Sequence, residues 1–258
     1  MFKIIETHAH IYDEAFAQDR DEMLLRAKNI GVTEIWMPNC NSETIRGMMD
    51  LASEYPDYCL PMLGLHPCYV KEDFENELQI IENEILKYRP LAIGEIGLDL
   101  FWDSTFFEQQ KKAFIYQSNL AIKHNLWIDI HSRNAFWETV ELIEKIADVG
   151  LKGIFHCFVG TEEEARKAIE LGFLLGIGGV STFKNGGLDK VLPNIGLENI
   201  VLETDAPYLA PTPFRGKRNE SSYLELIANK LADFYAVQVE DIYKITTDNA
   251  QKLKQSFV

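Results

Sequence analysis

Short apolar runs alternate along the chain with segments whose apolar residues recur every three to four positions. The runs read as strands and the periodic segments as amphipathic helices. Strands are predicted at 4–8, 33–37, 60–65, 91–93, 126–130, 153–155, 173–177 and 199–202. Between them, Met23, Leu24, Ala27 and Ile30 form one face of a helix stopped by Gly31. Ser42 is placed to cap a helix that carries Met48, Met49 and Ala52, and Leu78, Ile81 and Ile85 stripe the next. A long helix is predicted over 106–124, where Phe106, Ala113 and Leu120 recur, although Gln110 and Gln117 interrupt its stripe. Phe136, Val140 and Ile143 mark another helix. Thr161 with Glu164 makes a capping box for the one after it, which Gly172 closes. The tail begins with a helix bearing Leu224, Ile227, Leu231 and Phe234, and two short helices are predicted to follow.

Strands that alternate with helices imply a parallel sheet with right-handed crossovers. Two arrangements satisfy this at the present length, a closed (β/α)8 TIM barrel and an open doubly wound sheet. The polar residues choose between them. His8, His10, His66, Glu95, His131, His156 and Asp205 all lie at or just past the C-terminal ends of predicted strands. In a barrel those ends converge on one mouth, whereas in an open sheet the outer strands lie too far apart to share a site. The expectation is therefore an α/β protein, one (β/α)8 barrel domain over residues 1–258, with its site at the C-terminal mouth.

Five of the six histidines fall at that mouth, joined by a glutamate and an aspartate. His8 and His10 are spaced so that an extended backbone turns both imidazoles to one side. Histidine with carboxylate suits zinc, manganese, iron or nickel, and a carboxylate bridge lets two such ions share a site. Arg133, Lys184, Arg215 and Arg218 follow the fifth, seventh and eighth strands, so loops at the same mouth would gather their charge for a phosphate-bearing substrate. His66 is a further candidate for holding a substrate phosphate. Glu203, two residues before Asp205, is a candidate for contact with a metal or a neighbouring group. Asp99 reads as a turn or supporting acid, and Cys157 as a small packed neighbour of His156.

Composition narrows the partners. The 258 residues carry 25 basic and 40 acidic side chains, a net charge of −15, which counts against a high-affinity reader of DNA sequence. It leaves room for an enzyme that takes a phosphate at a metal, because bound cations invert the local field. No apolar run is long enough to span a membrane, and no secretory signal is expected at the N-terminus. Cys40, Cys59, Cys68 and Cys157 are scattered without a Cys-x-x-Cys pair, as suits reduced thiols in a cytoplasmic protein.

Several stretches resemble the TatD-like family of metal-dependent hydrolases, within the amidohydrolase-like barrels: Thr7-His8-Ala9-His10, Gly64-Leu65-His66-Pro67, the run from Ala92 to Asp99, Ile130-His131-Ser132-Arg133, His156-Cys157-Phe158, the run from Gly178 to Lys184, and the run from Leu202 to Leu209 with its continuation through Arg215 and Arg218 to Glu220. The resemblance covers essentially the whole chain. It implies that His8, His10 and Asp205 hold one divalent ion, that His131 and His156 hold a second, and that Glu95 bridges them. The ions would be zinc, magnesium or manganese. It further implies a deoxyribonuclease that trims single-stranded DNA ends, with a metal-activated hydroxide as nucleophile and Asp205 and Glu95 as the catalytic carboxylates. Two positions depart from the family pattern. Glu6 stands where the family usually has Asp, which bears on the support of His8, and Leu100-Phe101 follow Gly-Leu-Asp where the family often has Tyr, which bears on the pocket wall. Two other functions remain open on the residues alone. The same ions would equally serve an amide, ester or lactone hydrolase, and a metal-binding scaffold without turnover is the remote alternative.

Overall fold

The computed structural model describes residues 2–146 and 150–257. Eight parallel strands run through the described residues: β1 (Ile4–Glu6), β2 (Val32–Pro38), β3 (Cys59–Met62), β4 (Ala92–Asp99), β5 (Trp127–Arg133), β6 (Gly153–Phe155), β7 (Phe173–Ile177) and β8 (Ile200–Leu202). They pair in chain order as β1-β2-β3 and β4-β5-β6-β7-β8. Backbone hydrogen bonds cross both seams. Leu63 N–H donates to Ala92 O at 3.1 Å and Gly94 N–H to Leu63 O at 3.0 Å, joining β3 to β4. Thr7 N–H donates to Leu202 O at 3.0 Å and Asp205 N–H to His8 O at 3.0 Å, joining β8 to β1. The ring therefore closes into the (β/α)8 barrel.

The helices follow the expected order: α1 (Arg20–Ile30), α2 (Ser42–Glu54), α3 (Phe74–Tyr88), α4 (Phe107–His124), α5 (Phe136–Ile146), α6 (Glu162–Glu170), a short α7 (Leu188–Val191), α8 (Leu224–Tyr235) and α9 (Val239–Gln255). Three sequence expectations are corrected. The cap of α2 is Asn41, which forms a capping box with Thr44, so Ser42 is the first helical residue. The glycine-rich segment after Ile93 continues as strand to Asp99. The two short tail helices are one helix of 17 residues. Its polar face misled the reading, because Thr247 and Asn249 are buried and spend their side chains on Lys3 O and Ile200 O at 2.9 Å each.

The barrel interior is layered. Ile5, Trp36, Met62, Ala92, Trp127, Ile154 and Val201 fill its lower part, and Ala250 and Leu253 of α9 close it from below. Trp36 and Trp127 meet there, with ring centroids 5.2 Å apart. Strand side chains alternate, so positions two and four residues further along face the same interior nearer the mouth. From Trp127 that leads to Asp129 and His131, from Met62 to Gly64 and His66, from Ile154 to His156, and from Val201 to Glu203 and Asp205. The apolar layer is the floor on which the polar layer stands.

Candidate metal centre

Four of the five histidines at the mouth have one ring nitrogen committed to a neighbour, which decides where the other points. Asp129 Oδ2 lies 2.7 Å from His8 Nδ1 and accepts its proton. Tyr12 donates its hydroxyl to Pro38 O at 2.7 Å, so Oη is left to accept from His10 Nδ1 at 3.1 Å. In this arrangement His8 Nε2 and His10 Nε2 confront each other as lone pairs at 3.2 Å. Asp99 Oδ2 accepts from His131 Nε2 at 2.9 Å, which turns His131 Nδ1 toward Glu95 Oε1, 2.8 Å away. Lone pairs aimed at one another and at a carboxylate repel unless a cation lies among them. The supporting acceptors thus prepare the ligand set for metal.

Glu95 stands at the centre. The register of β4 against β5 slips between Ile93 and Ile96, a local irregularity that spans Glu95 and accompanies its entry into the barrel. Its Oε2 faces His8 Nε2 at 3.4 Å and His10 Nε2 at 3.6 Å. Asp205 Oδ1 completes this group at 3.7 Å and 3.6 Å from the same two nitrogens. A tetrahedral ion with ligands at about 2.0–2.2 Å holds its donor atoms about 3.3–3.6 Å apart, so the group has the right size. Oε1 of Glu95 faces the second group, 2.7 Å from His156 Nε2, with His131 Nδ1 3.3 Å from that nitrogen. The two oxygens of one carboxylate therefore serve two clusters of donors.

His66 differs from the other four. Its Nδ1 accepts the Cys68 N–H at 3.1 Å, so the proton is on Nε2, which points at Glu95 Oε1 at 3.3 Å. It presents a donor where His8, His10 and His131 present lone pairs, which suits an anionic oxygen better than a metal.

Burial sets the electrostatics. It pushes the Glu95 carboxyl up, but the charges of His156, His66 and His8 outweigh this and hold it well below the usual carboxylate range. Burial also lifts Asp205, against the pull of His8 and His156, to about 7. His10 is pressed down to about 3 by burial and by His8. His8 feels burial and His156 in the same sense, yet the carboxylates Asp129 and Glu95 outweigh them, so the pocket favours positive charge at His8, which a cation between the donors would supply.

Glu203 does not reach the cavity. It is fully buried behind His156, with Oε1 3.6 Å from His156 Nδ1 and accepting the Cys157 N–H at 2.6 Å. Gly176 makes room for it, since a Cβ there would run into the Glu203 carboxylate. Cys157 adopts φ 45°, and its N–H is the group that meets Glu203. Glu6 does not touch the His8 ring. Its Oε1 and Oε2 accept from the Thr204 backbone and hydroxyl at 2.8 Å each, a clamp across the β8–β1 seam. Asp129 is the residue that sequence reasoning missed. The signal was an acid inside the apolar run 127–130, in phase with His131.

A cavity of about 680 Å³ opens above the cluster, lined by His10, His66, Glu95, His131, His156 and Asp205 together with cations and aromatic rings. Arg133 and Arg215 both line it. Arg133 lies 4.0 Å over the Phe101 ring and Arg215 4.0 Å over Phe183, so each guanidinium is backed by an aromatic face. Lys217, which the sequence reading did not single out, lines the same cavity. Lys184 is exposed and is not among the lining residues. Arg218 corrects the expectation of a fourth substrate cation: it turns to the outside of the barrel, pairs with Asp19 at 2.5 and 2.7 Å, and donates to Ala15 O.

Comparison with known proteins agrees with this architecture. A family model described as TatD related DNase matches residues 5–255. A relative from Bacillus subtilis (strain 168), named uncharacterized metal-dependent hydrolase YabD, is 37% identical over 251 residues, spanning 97% of this chain and 98% of its own. The 3'-5' ssDNA/RNA exonuclease TatD of Pantoea ananatis (strain LMG 20103) is 32% identical over 244 residues, 92% of this chain and 94% of its own. The crystal structure of YJJV, a TatD homolog from Escherichia coli K12, superposes with a TM-score of 0.91 at 27% identity, covering 97% of each chain. Barrel, donor cluster and these relatives together define a metal-dependent hydrolase. The chain belongs to the TatD family of metal-dependent hydrolases.

Proposed function

We propose that this hydrolase cleaves phosphodiester bonds at the single-stranded ends of DNA, using two divalent ions, zinc, magnesium or manganese. The observation that carries the reading is the pairing of one donor cluster with two aromatic-backed arginines, Arg133 and Arg215, in a single cavity. In a chain of net charge −15, cations collected there mark an anionic substrate. The relative named as an exonuclease on single-stranded DNA and RNA supports the same direction.

His8, His10 and Asp205 would hold one ion, His131 and His156 the other, with Glu95 between them. Bound ions would supply Lewis acidity and activate water near neutral pH. The chain's own groups supply the rest. Asp205, beside the nitrogens of His8 and His10, takes the proton of the attacking water. Arg133 and Arg215 hold the non-bridging oxygens, and the His66 Nε2–H adds a third donor. Among the described residues no helix is long and apolar enough to cross a membrane. The four cysteines are free, in keeping with a reducing compartment such as the cytoplasm.

The experiment is degradation of an end-labelled single-stranded oligonucleotide by metal-loaded protein, with EDTA and Asp205→Asn as controls. Stepwise shortening that EDTA abolishes, and that Asp205→Asn slows by about 100- to 10,000-fold, is expected. Metal-loaded protein that leaves the strand intact would contradict the reading and move amide and ester substrates to the front.

A further inference from the structure

Beside the metal centre, two large aromatic rings stand in water. Phe101 is 50% exposed, and Trp102, at 67%, is the most exposed large apolar side chain among the described residues. Their rings meet edge to face at 5.0 Å. A tryptophan left this open gains nothing from the core, since Trp36 and Trp127 do the packing inside the barrel. Its position is nonetheless fixed. Asp99 Oδ1 accepts both the Phe101 and the Trp102 N–H at 2.8 Å, and Asp99 Oδ2 holds His131. One buried carboxylate thus ties the turn carrying the rings to a nitrogen donor of the metal centre. Arg133 fills the angle between ring and cavity, its Cζ 4.0 Å above Phe101 and 5.4 Å from Trp102.

We propose that Trp102 is a stacking platform for the nucleobase next to the scissile phosphate, with Arg133 holding a phosphate oxygen beside it. The assignment rests on the nuclease reading and deepens it. Arg133 lies over both rings but closer to Phe101, and the indole, the more exposed of the two, keeps the larger open surface. Trp102 and Arg133 both line the cavity that the donor cluster opens into, so a base on the indole places its phosphate toward the ions. Aromatic stacking accepts any base, so the subsite gives grip on a single strand without sequence preference. An internal base of a duplex has both faces covered by its neighbours, and a terminal one is held to its partner strand, so a platform that takes a splayed-out base makes Trp102 a selector for unpaired ends. Trp102 is a specificity-determining residue and takes no part in bond making.

The test pairs side chain with base. Rates are measured for wild type, Trp102→Ala and Trp102→Phe on a single-stranded oligonucleotide and on one whose terminal positions carry abasic tetrahydrofuran sugars. Trp102→Ala should lower kcat/KM on the normal strand by about 5- to 100-fold, mostly through KM, and Trp102→Phe should restore most of it. On the abasic strand wild type and Trp102→Ala should differ by less than about twofold. Equal rates on the normal strand, or an equal loss on both strands, would overturn the platform while leaving the nuclease intact. A metal-loaded wild type that cleaves neither strand would instead remove the nuclease reading, and the platform with it. The ring is largely in solvent, so its removal takes little from the core, and matching thermal unfolding of the variants checks this.

Discussion

His8 owes its behaviour to a single buried acid. Asp129 accepts its Nδ1 proton at 2.7 Å and leaves Nε2 free for a metal. Asp129→Asn removes the charge with little change of shape, so metal affinity is expected to fall by about 10- to 100-fold, read by competition with a chelator. Unchanged affinity would mean that the contact is only packing. The ligand candidates themselves were legible, because strand-end placement marks residues that a barrel gathers. Asp129 was legible in principle from its phase with His131. Arg218 was not, since its partner Asp19 is 199 positions away and nothing local in the sequence links them. Accordingly, Arg218→Met should leave KM for an oligonucleotide unchanged, whereas Arg215→Met should raise it several-fold in the same assay.

The helix with two glutamines in its stripe shows how local pattern and tertiary need diverge. Gln117 on α4 takes the Leu65 N–H on its Oε1 at 2.6 Å and gives its Nε2–H to Leu65 O at 3.2 Å. Gln110 does the same for Asp99, with Oε1 accepting at 2.9 Å and Nε2 donating at 3.3 Å. What read as flaws in an apolar face are side chains that satisfy the backbone just past β3 and at the end of β4, where the strands stop pairing. Gln117→Leu leaves a buried N–H and C=O unmet and should cost about 1–3 kcal/mol of stability in chemical denaturation. A midpoint equal to wild type would show that other groups take over. The same divergence hid the end of β4. Glycine-rich sequence reads as loop, but Gly97, at a φ of 152° that side chains rarely adopt, is paired with His131 and pressed so close to its carbonyl oxygen that no Cβ fits.

At the scale of the molecule, alternation of strand and helix left a barrel and an open sheet, and the polar residues at six strand ends chose the barrel, because only closure brings those ends to one place. How the ring is fastened on its outside was not readable. Asp19, Arg26, Arg218 and Glu220 join the start of α1 to the long loop after β8. Hydrogen bonding to Arg218 draws the Asp19 carboxyl down to about 2. Burial opposes the shift at Glu220, but Arg26 and Ser222 outweigh it and hold that carboxyl low. Both acids are more acidic folded than unfolded. Their contribution is therefore present above the ordinary carboxylate range near pH 4 and is lost as pH falls toward 2. The difference in Tm between wild type and Arg218→Met should be widest above pH 5 and should close on acidification. A gap that stays constant to pH 2 would show that the cluster adds no charge-dependent stability.

The most direct test of the whole account is a count of metal. Purified protein would be loaded with zinc or manganese, freed of excess, and its metal content measured per chain for wild type and Glu95→Gln. Two ions in wild type and at most one in the variant are expected, because the two oxygens of Glu95 face the two donor groups. The same number of ions in both proteins, or less than one in wild type, would contradict a centre built around that carboxylate.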